Sequence, residues 1–179
     1  MRKVVLYQLQ SLDGVAEEPG DWMFAADEAI YDNLRTVIGA QTDVLLGRGT
    51  YDYWSGYWPT ATDEPFASFI NGTTKHVFTS TTPEVAWAKS TFVEASAEEY
   101  VVALKQGEGG DIGIHGSIRL ARSLIAAGLV DELRLVLCPA LAGGGRGGLN
   151  DIAGLQKWEL LDSRSTSDGQ LLLAYRQAG

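Results

Sequence analysis

Cysteine is almost missing: Cys138 is the single thiol in 179 residues. One thiol closes no internal disulfide, and it excludes every multi-cysteine zinc site. Histidine is as sparse. His76 and His115 are the two in the chain, and neither has a second His or Cys at ligand spacing, so no metal is expected. Basic residues are short as well, with 14 Lys and Arg against 23 Asp and Glu and a net charge of −9. That balance argues against general nucleic-acid binding, whose affinity comes mostly from neutralised phosphates. It also argues against docking on anionic membranes. Long apolar runs are lacking, and nothing approaches the ~20 residues of a membrane span. The run Val4 to Tyr7 behind Arg2 and Lys3 is too short for a signal peptide. A reduced, cytoplasmic compartment is the expectation.

What remains is ordinary globular composition, 45% apolar and 21% charged. Without a linker, repeat or composition break, residues 1–179 read as one domain. Lys3 to Leu9 predicts a buried strand. Ala26, Ile30, Leu34, Val37 and Ile38 share a helical face that Gly39 ends. Strands are predicted at Asp43 to Leu46, Lys75 to Thr79, Thr91 to Glu94, Asp111 to His115 and Leu133 to Leu137, with a weak one at Val85 to Lys89. Helices start near Gly49, after Pro65, at Ser96 and after Ser117. Trp158 to Asp162 and Gln170 to Arg176 predict an antiparallel pair turned at Ser167-Asp168-Gly169. The order predicts a three-layer α/β/α fold, a mostly parallel mixed sheet with a C-terminal antiparallel pair.

Two places repeat one pattern of apolar strand, glycine, polar residue and helix. They are Leu46-Gly47-Arg48-Gly49-Thr50 and Ile114-His115-Gly116-Ser117-Ile118. A helix start offers unpaired N–H groups and a positive dipole end, and glycine lets an anion approach. Two such turns side by side would grip a pyrophosphate, and Arg48 would fork onto a phosphate. Each turn taken alone is equally a plain helix cap. Thr79 and Ser80, after the third strand, could add donors at the same edge. Together these predict a locally positive cleft around Arg48 in an acidic surface. Asp13 follows the first strand, and Asp27 starts the first helix behind Trp22. Such carboxylates suit general acid work on a heterocycle, or simply a turn and a first helical turn. Trp54 and Trp58, in an aromatic-rich segment, could wall a flat ligand or pack in the core. The glycine-rich stretch from Ala142 to Leu149 opens no helix and reads as a mobile loop.

These residues resemble the dihydrofolate reductase-like superfamily. Within it they resemble the family that contains the C-terminal reductase domain of the bifunctional riboflavin-biosynthesis deaminase-reductase. Ser11-Leu12-Asp13-Gly14 looks like that family's opening motif. Leu46-Gly47-Arg48-Gly49-Thr50-Tyr51 looks like the cofactor segment of dihydrofolate reductases. His115-Gly116-Ser117 with Leu120-Ala121, then Ala127 to Leu133, looks like the reductase-domain signature. The resemblance spans nearly the whole chain and implies an NADPH-dependent reductase of a small heterocycle. The nearest named activity is 5-amino-6-(5-phosphoribosylamino)uracil reduction, with dihydrofolate reduction and non-catalytic nucleotide binding as alternatives. It implies Arg48, Thr79 and Ser80 at the 2′-phosphate end. Thr50 and the Gly116-Ser117 helix start would hold the pyrophosphate, and Gly47, His115, Ile118 and Leu120 would also be cofactor-binding. Gln8 and Leu9 would face the nicotinamide. Substrate would lie between the Asp13–Asp27 loop and the aromatic segment, touching Trp22, Trp54 and Trp58. A homodimer is also implied. Deamination is not, since the His-x-Glu and Pro-Cys-x-x-Cys zinc pattern is absent.

Overall fold

The computed structural model describes residues 1–178. Strand β1 (Val4–Gln10) is buried over its first five residues. Both of its faces are covered, which is why it reads as an unbroken apolar run rather than an alternation. Helix α1 (Glu28–Gly39) follows, then β2 (Gln41–Gly47), α2 (Arg48–Tyr57), α3 (Phe66–Gly72), β3 (Thr74–Phe78) and β4 (Ser90–Val93). Helix α4 (Ala97–Gln106) starts where Ser96 accepts a hydrogen bond from the Glu99 N–H. The chain continues with β5 (Asp111–His115), α5 (Ile118–Ala126), β6 (Glu132–Leu137), β7 (Trp158–Ser165) and β8 (Leu171–Gln177).

The strands form one sheet in the order β4-β3-β2-β5-β1-β6-β8-β7. Strand β8 runs antiparallel to both its neighbours, and the other pairs are parallel. This is the dihydrofolate reductase-like α/β fold with the closing antiparallel pair that the sequence predicts. One face of the sheet packs Leu6, Leu45, Ile112 and Ile114 under Val101 of α4 and Leu124 of α5. The other packs Val5 and Tyr7 under α1, and Val44 and Leu46 under Tyr51 and Ile70 of α2 and α3. Each such aliphatic side chain contributes roughly 1.5–3 kcal/mol by leaving water.

Two expectations fail locally. Val85 to Lys89 is not a strand. The Tyr51 hydroxyl donates to the Val85 carbonyl at 2.9 Å and accepts the Trp87 N–H at 3.0 Å, so a side chain takes the place of a strand neighbour. The glycine-rich loop is tied down rather than loose. Ala142 and Gly143 donate their N–H groups to Asp13, Arg146 donates to Glu17, and Arg122 holds the Gly147 and Gly148 carbonyls.

Candidate active site

Strands β2 and β5 are neighbours, so the two predicted helix starts lie side by side at one sheet edge. They are joined directly: the Gly47 N–H donates to the Ser117 hydroxyl at 3.0 Å, and the Thr50 hydroxyl reaches the Gly116 carbonyl at 3.5 Å. Ser117 stands at the N-cap position of α5, yet its hydroxyl makes no bond within its own helix. Gly47 precedes α2 and brings no capping side chain either. The first-turn N–H groups of both helices therefore lack a side-chain cap at the place where two positive dipole ends converge. Gly116 has φ 74°, and a Cβ there would come within 2.7 Å of the Trp54 ring. This turn is open to glycine alone.

Arg48 and Thr79 are brought together, from α2 and the end of β3. The Arg48 Nη1 donates to the Thr79 hydroxyl at 3.2 Å, and to the Thr81 hydroxyl and carbonyl at 2.6 and 2.8 Å. Its Nε lies 2.8 Å from both carboxylate oxygens of Asp52. The expected positive cleft is thus largely neutralised at its centre, because Asp52 sits one helical turn along from Arg48. Ser80 is exposed beside Thr79.

Gln8 and Leu9 lie at the end of β1, paired in register with Leu135 and Val136 of β6. Gln8 is buried, and Gly148 presses so close that a Cβ there would meet its amide at 1.9 Å. Asp13 reaches from just beyond β1 to the glycine-rich loop. It accepts from the Ser11 hydroxyl and from the Ala142 and Gly143 N–H groups, which lower its pKa to about 2. Asp27 caps α1 through the Ile30 N–H and accepts both the N–H and the hydroxyl of Ser167, in the β7–β8 turn. Ser167 holds its pKa below the usual carboxylate range. Both carboxylates are ionised acceptors that fasten loops.

The remaining residues divide. Trp54 and Trp58 meet edge to face at 5.8 Å, and both pack against Phe66, beside Gly116. Trp22 is not with them. It lies in the core against Val5, Tyr7, Ile30 and Val37, and its indole donates to the Glu17 carbonyl. The His115 ring is buried away from the edge, with Nε2 2.8 Å from the Gln41 side-chain oxygen. Burial lowers its pKa to about 3, so the imidazole is neutral. The Leu120 side chain belongs to the core under α5 and Ile118 is half-buried; the Ile118 N–H is taken by the Gly116 carbonyl at 3.2 Å, and Leu120 offers its backbone N–H at this edge. Two buried donors on the α1–α3 face, Tyr7 Oη and Trp58 Nε1, have no partner among the described residues.

Sequence reasoning missed Asp52, Thr81 and Arg119. Asp52 was visible as an acid four residues after Arg48. Thr81 was not, because only the path after β3 folds it back. Arg119 is exposed in the first turn of α5 and makes no ion pair among the described residues. A cation there opposes the helix dipole unless an anion joins it. Two surface grooves, lined by residues such as Lys3 and Glu132 or Arg2 and Asp111, open at the opposite edge of the sheet. Among the described residues there is no cluster of metal-ligating side chains, and no helix is long and apolar enough to cross a membrane.

The family model described as RibD C-terminal domain matches residues 2–172. The uncharacterised Bacillus subtilis (strain 168) protein YyaP is 26% identical over 185 residues, covering 99% of this chain and 96% of that protein. Acinetobacter baumannii RibD superimposes with a TM-score of 0.72 at 17% identity, covering 100% of this chain and 59% of that one. Enterococcus faecalis dihydrofolate reductase, solved in complex with NADP(H), gives a TM-score of 0.66 at 17% identity, covering 99% and 97%.

Proposed function

Since the chain belongs to the RibD C-terminal domain family, we propose that it is an NADPH-dependent reductase of a small heterocyclic substrate. The observation that carries this reading is the junction of the α2 and α5 starts, with Arg48, Thr79 and Thr81 at one flank. The donor set fits a dinucleotide. Gly49 has open space where a Cβ would stand, so a phosphate could approach the first turn of α2 closely. Thr50, Gly116 and Ser117 supply hydroxyl and N–H donors around it, and Arg119 adds a positive charge that no carboxylate among the described residues neutralises.

NADPH supplies the hydride, and the chain's task is alignment and exclusion of water. Arg48 and Thr79 bind the 2′-phosphate end. The paired helix starts hold the pyrophosphate without a net positive protein. Gln8 and Leu9 bound the nicotinamide, with the loop that Asp13 fastens lying over Gln8. The substrate is read beside them, toward Trp54 and Trp58. Asp27, ionised and doubly bonded to Ser167, suits holding an N–H of the heterocycle better than giving it a proton.

The nearest named reaction is reduction of the phosphoribosylamino-pyrimidine of riboflavin synthesis. NADPH titration followed by cofactor fluorescence tests the site. Turnover of that pyrimidine against dihydrofolate tests the substrate. Failure to bind NADPH at millimolar concentration would overturn the reading. Turnover of dihydrofolate alone would move the activity to the other substrate. A homodimer accompanies this reading, and sedimentation measures it.

A further inference from the structure

We propose that Asp52 restrains the preference of Arg48 for a 2′-phosphorylated cofactor. This inference rests on the reductase reading of the same site. Arg48 and Asp52 stand one turn apart on α2, and both Asp52 oxygens lie 2.8 Å from Arg48 Nε. Nη1 is committed to Thr79 and Thr81. Nη2 makes no hydrogen bond among the described residues.

A guanidinium grips phosphate with two parallel donors, either Nε with Nη2 or Nη1 with Nη2. Each of these pairs already has one member engaged. A 2′-phosphate therefore meets one free NH2 group, and it meets a carboxylate that repels it. Arg48 and Asp52 are 33% and 50% exposed, so their bond adds little stability. Yet it occupies the edge of the guanidinium that would otherwise face a ligand. Asp52 thus lowers the gain in affinity that the extra phosphate brings and leaves the rest of the dinucleotide unaffected.

The test is equilibrium binding of NADPH, NADH, 2′,5′-ADP and 5′-AMP to the wild-type chain and to Asp52→Asn, Asp52→Ala and Asp52→Glu. Asp52→Asn and Asp52→Ala are expected to tighten NADPH and 2′,5′-ADP about three- to tenfold. NADH and 5′-AMP should stay within about twofold, and Asp52→Glu should keep the wild-type ratio. The gain should shrink as salt rises, because the interaction is between exposed charges. Thermal melting verifies that each variant folds, and Asp52→Glu and Asp52→Ala keep the test alive if Asp52→Asn does not. Equal shifts for both dinucleotides, or no tightening of 2′,5′-ADP, overturn the inference while NADPH binding by the wild type preserves the reductase reading. Binding of neither dinucleotide by the wild type overturns both.

Discussion

The turn from β2 into α2 and the turn from β5 into α5 share one chain pattern but use it differently. In the first, Arg48 reaches the exposed sheet edge, and Gly49 has nothing within 4 Å of a would-be Cβ. In the second, every side chain is committed inward. His115 bonds to Gln41, Gly116 lies under Trp54, and Ser117 accepts the Gly47 N–H. The β5–α5 turn sets the geometry of the edge, and on the proposed reading the β2–α2 turn presents the charge that meets the ligand. Substitutions in one turn should therefore register as stability, and substitutions in the other as affinity.

Gly116→Ala should show the largest effect. A left-handed backbone under a non-glycine residue costs roughly 1–3 kcal/mol, and the clash with Trp54 adds to it. A loss of about 3 kcal/mol in denaturant unfolding is expected. Gly49→Ala, in the first turn of α2, should change stability by no more than about 1 kcal/mol. Equal losses would erase the distinction. Arg48→Ala comes next. It should weaken NADPH about 10- to 100-fold, the value of charge-assisted hydrogen bonds, with NADH and the melting temperature nearly unchanged. Loss of fold instead would make the first turn architectural as well.

Ser117→Ala removes the acceptor of the Gly47 N–H. It should lower unfolding free energy by about 1–2 kcal/mol and move cofactor affinity less than Arg48→Ala does. The smallest effect is a pH dependence. Burial lowers the His115 pKa from its ordinary 6.5 to about 3. The unfolded chain gains this proton as pH drops through about 6.5, whereas the folded chain resists it until about 3. The stability from the neutral imidazole is therefore complete above pH 6.5 and is lost as pH falls toward 3. Between pH 7 and 6, above the carboxylate range, the loss is roughly 0.7 kcal/mol. His115→Asn should flatten that limb, and an unchanged slope would show that His115 does not set it.

Much of this was legible in the chain because the patterns are local. Asp111 to His115 is the same strand in sequence and in structure, since an apolar run between turn residues specifies it. Ser96 caps α4 as its spacing with Glu99 predicts. The site was less legible. Trp22 and Asp27 look alike in sequence as ligand groups near one helix start. Yet the indole is in the core and the carboxylate ties α1 to the β7–β8 turn. Asp13 likewise meets its partners about 130 residues away, in the glycine-rich loop. No local pattern encodes contacts across that separation.

The sequence by itself determined the element order, the apolar faces, the two helix-start turns and the arginine in one of them. It did so because backbone geometry and side-chain periodicity repeat over a few residues. The tertiary structure decided that β5 lies between β1 and β2, which puts the two turns against each other. It also decided that Thr79 and Thr81 return to Arg48 and that the Ser117 hydroxyl serves the neighbouring turn. Strand order and side-chain partners follow from burying both faces of the sheet at once, a condition on the whole chain that no short stretch of it can state.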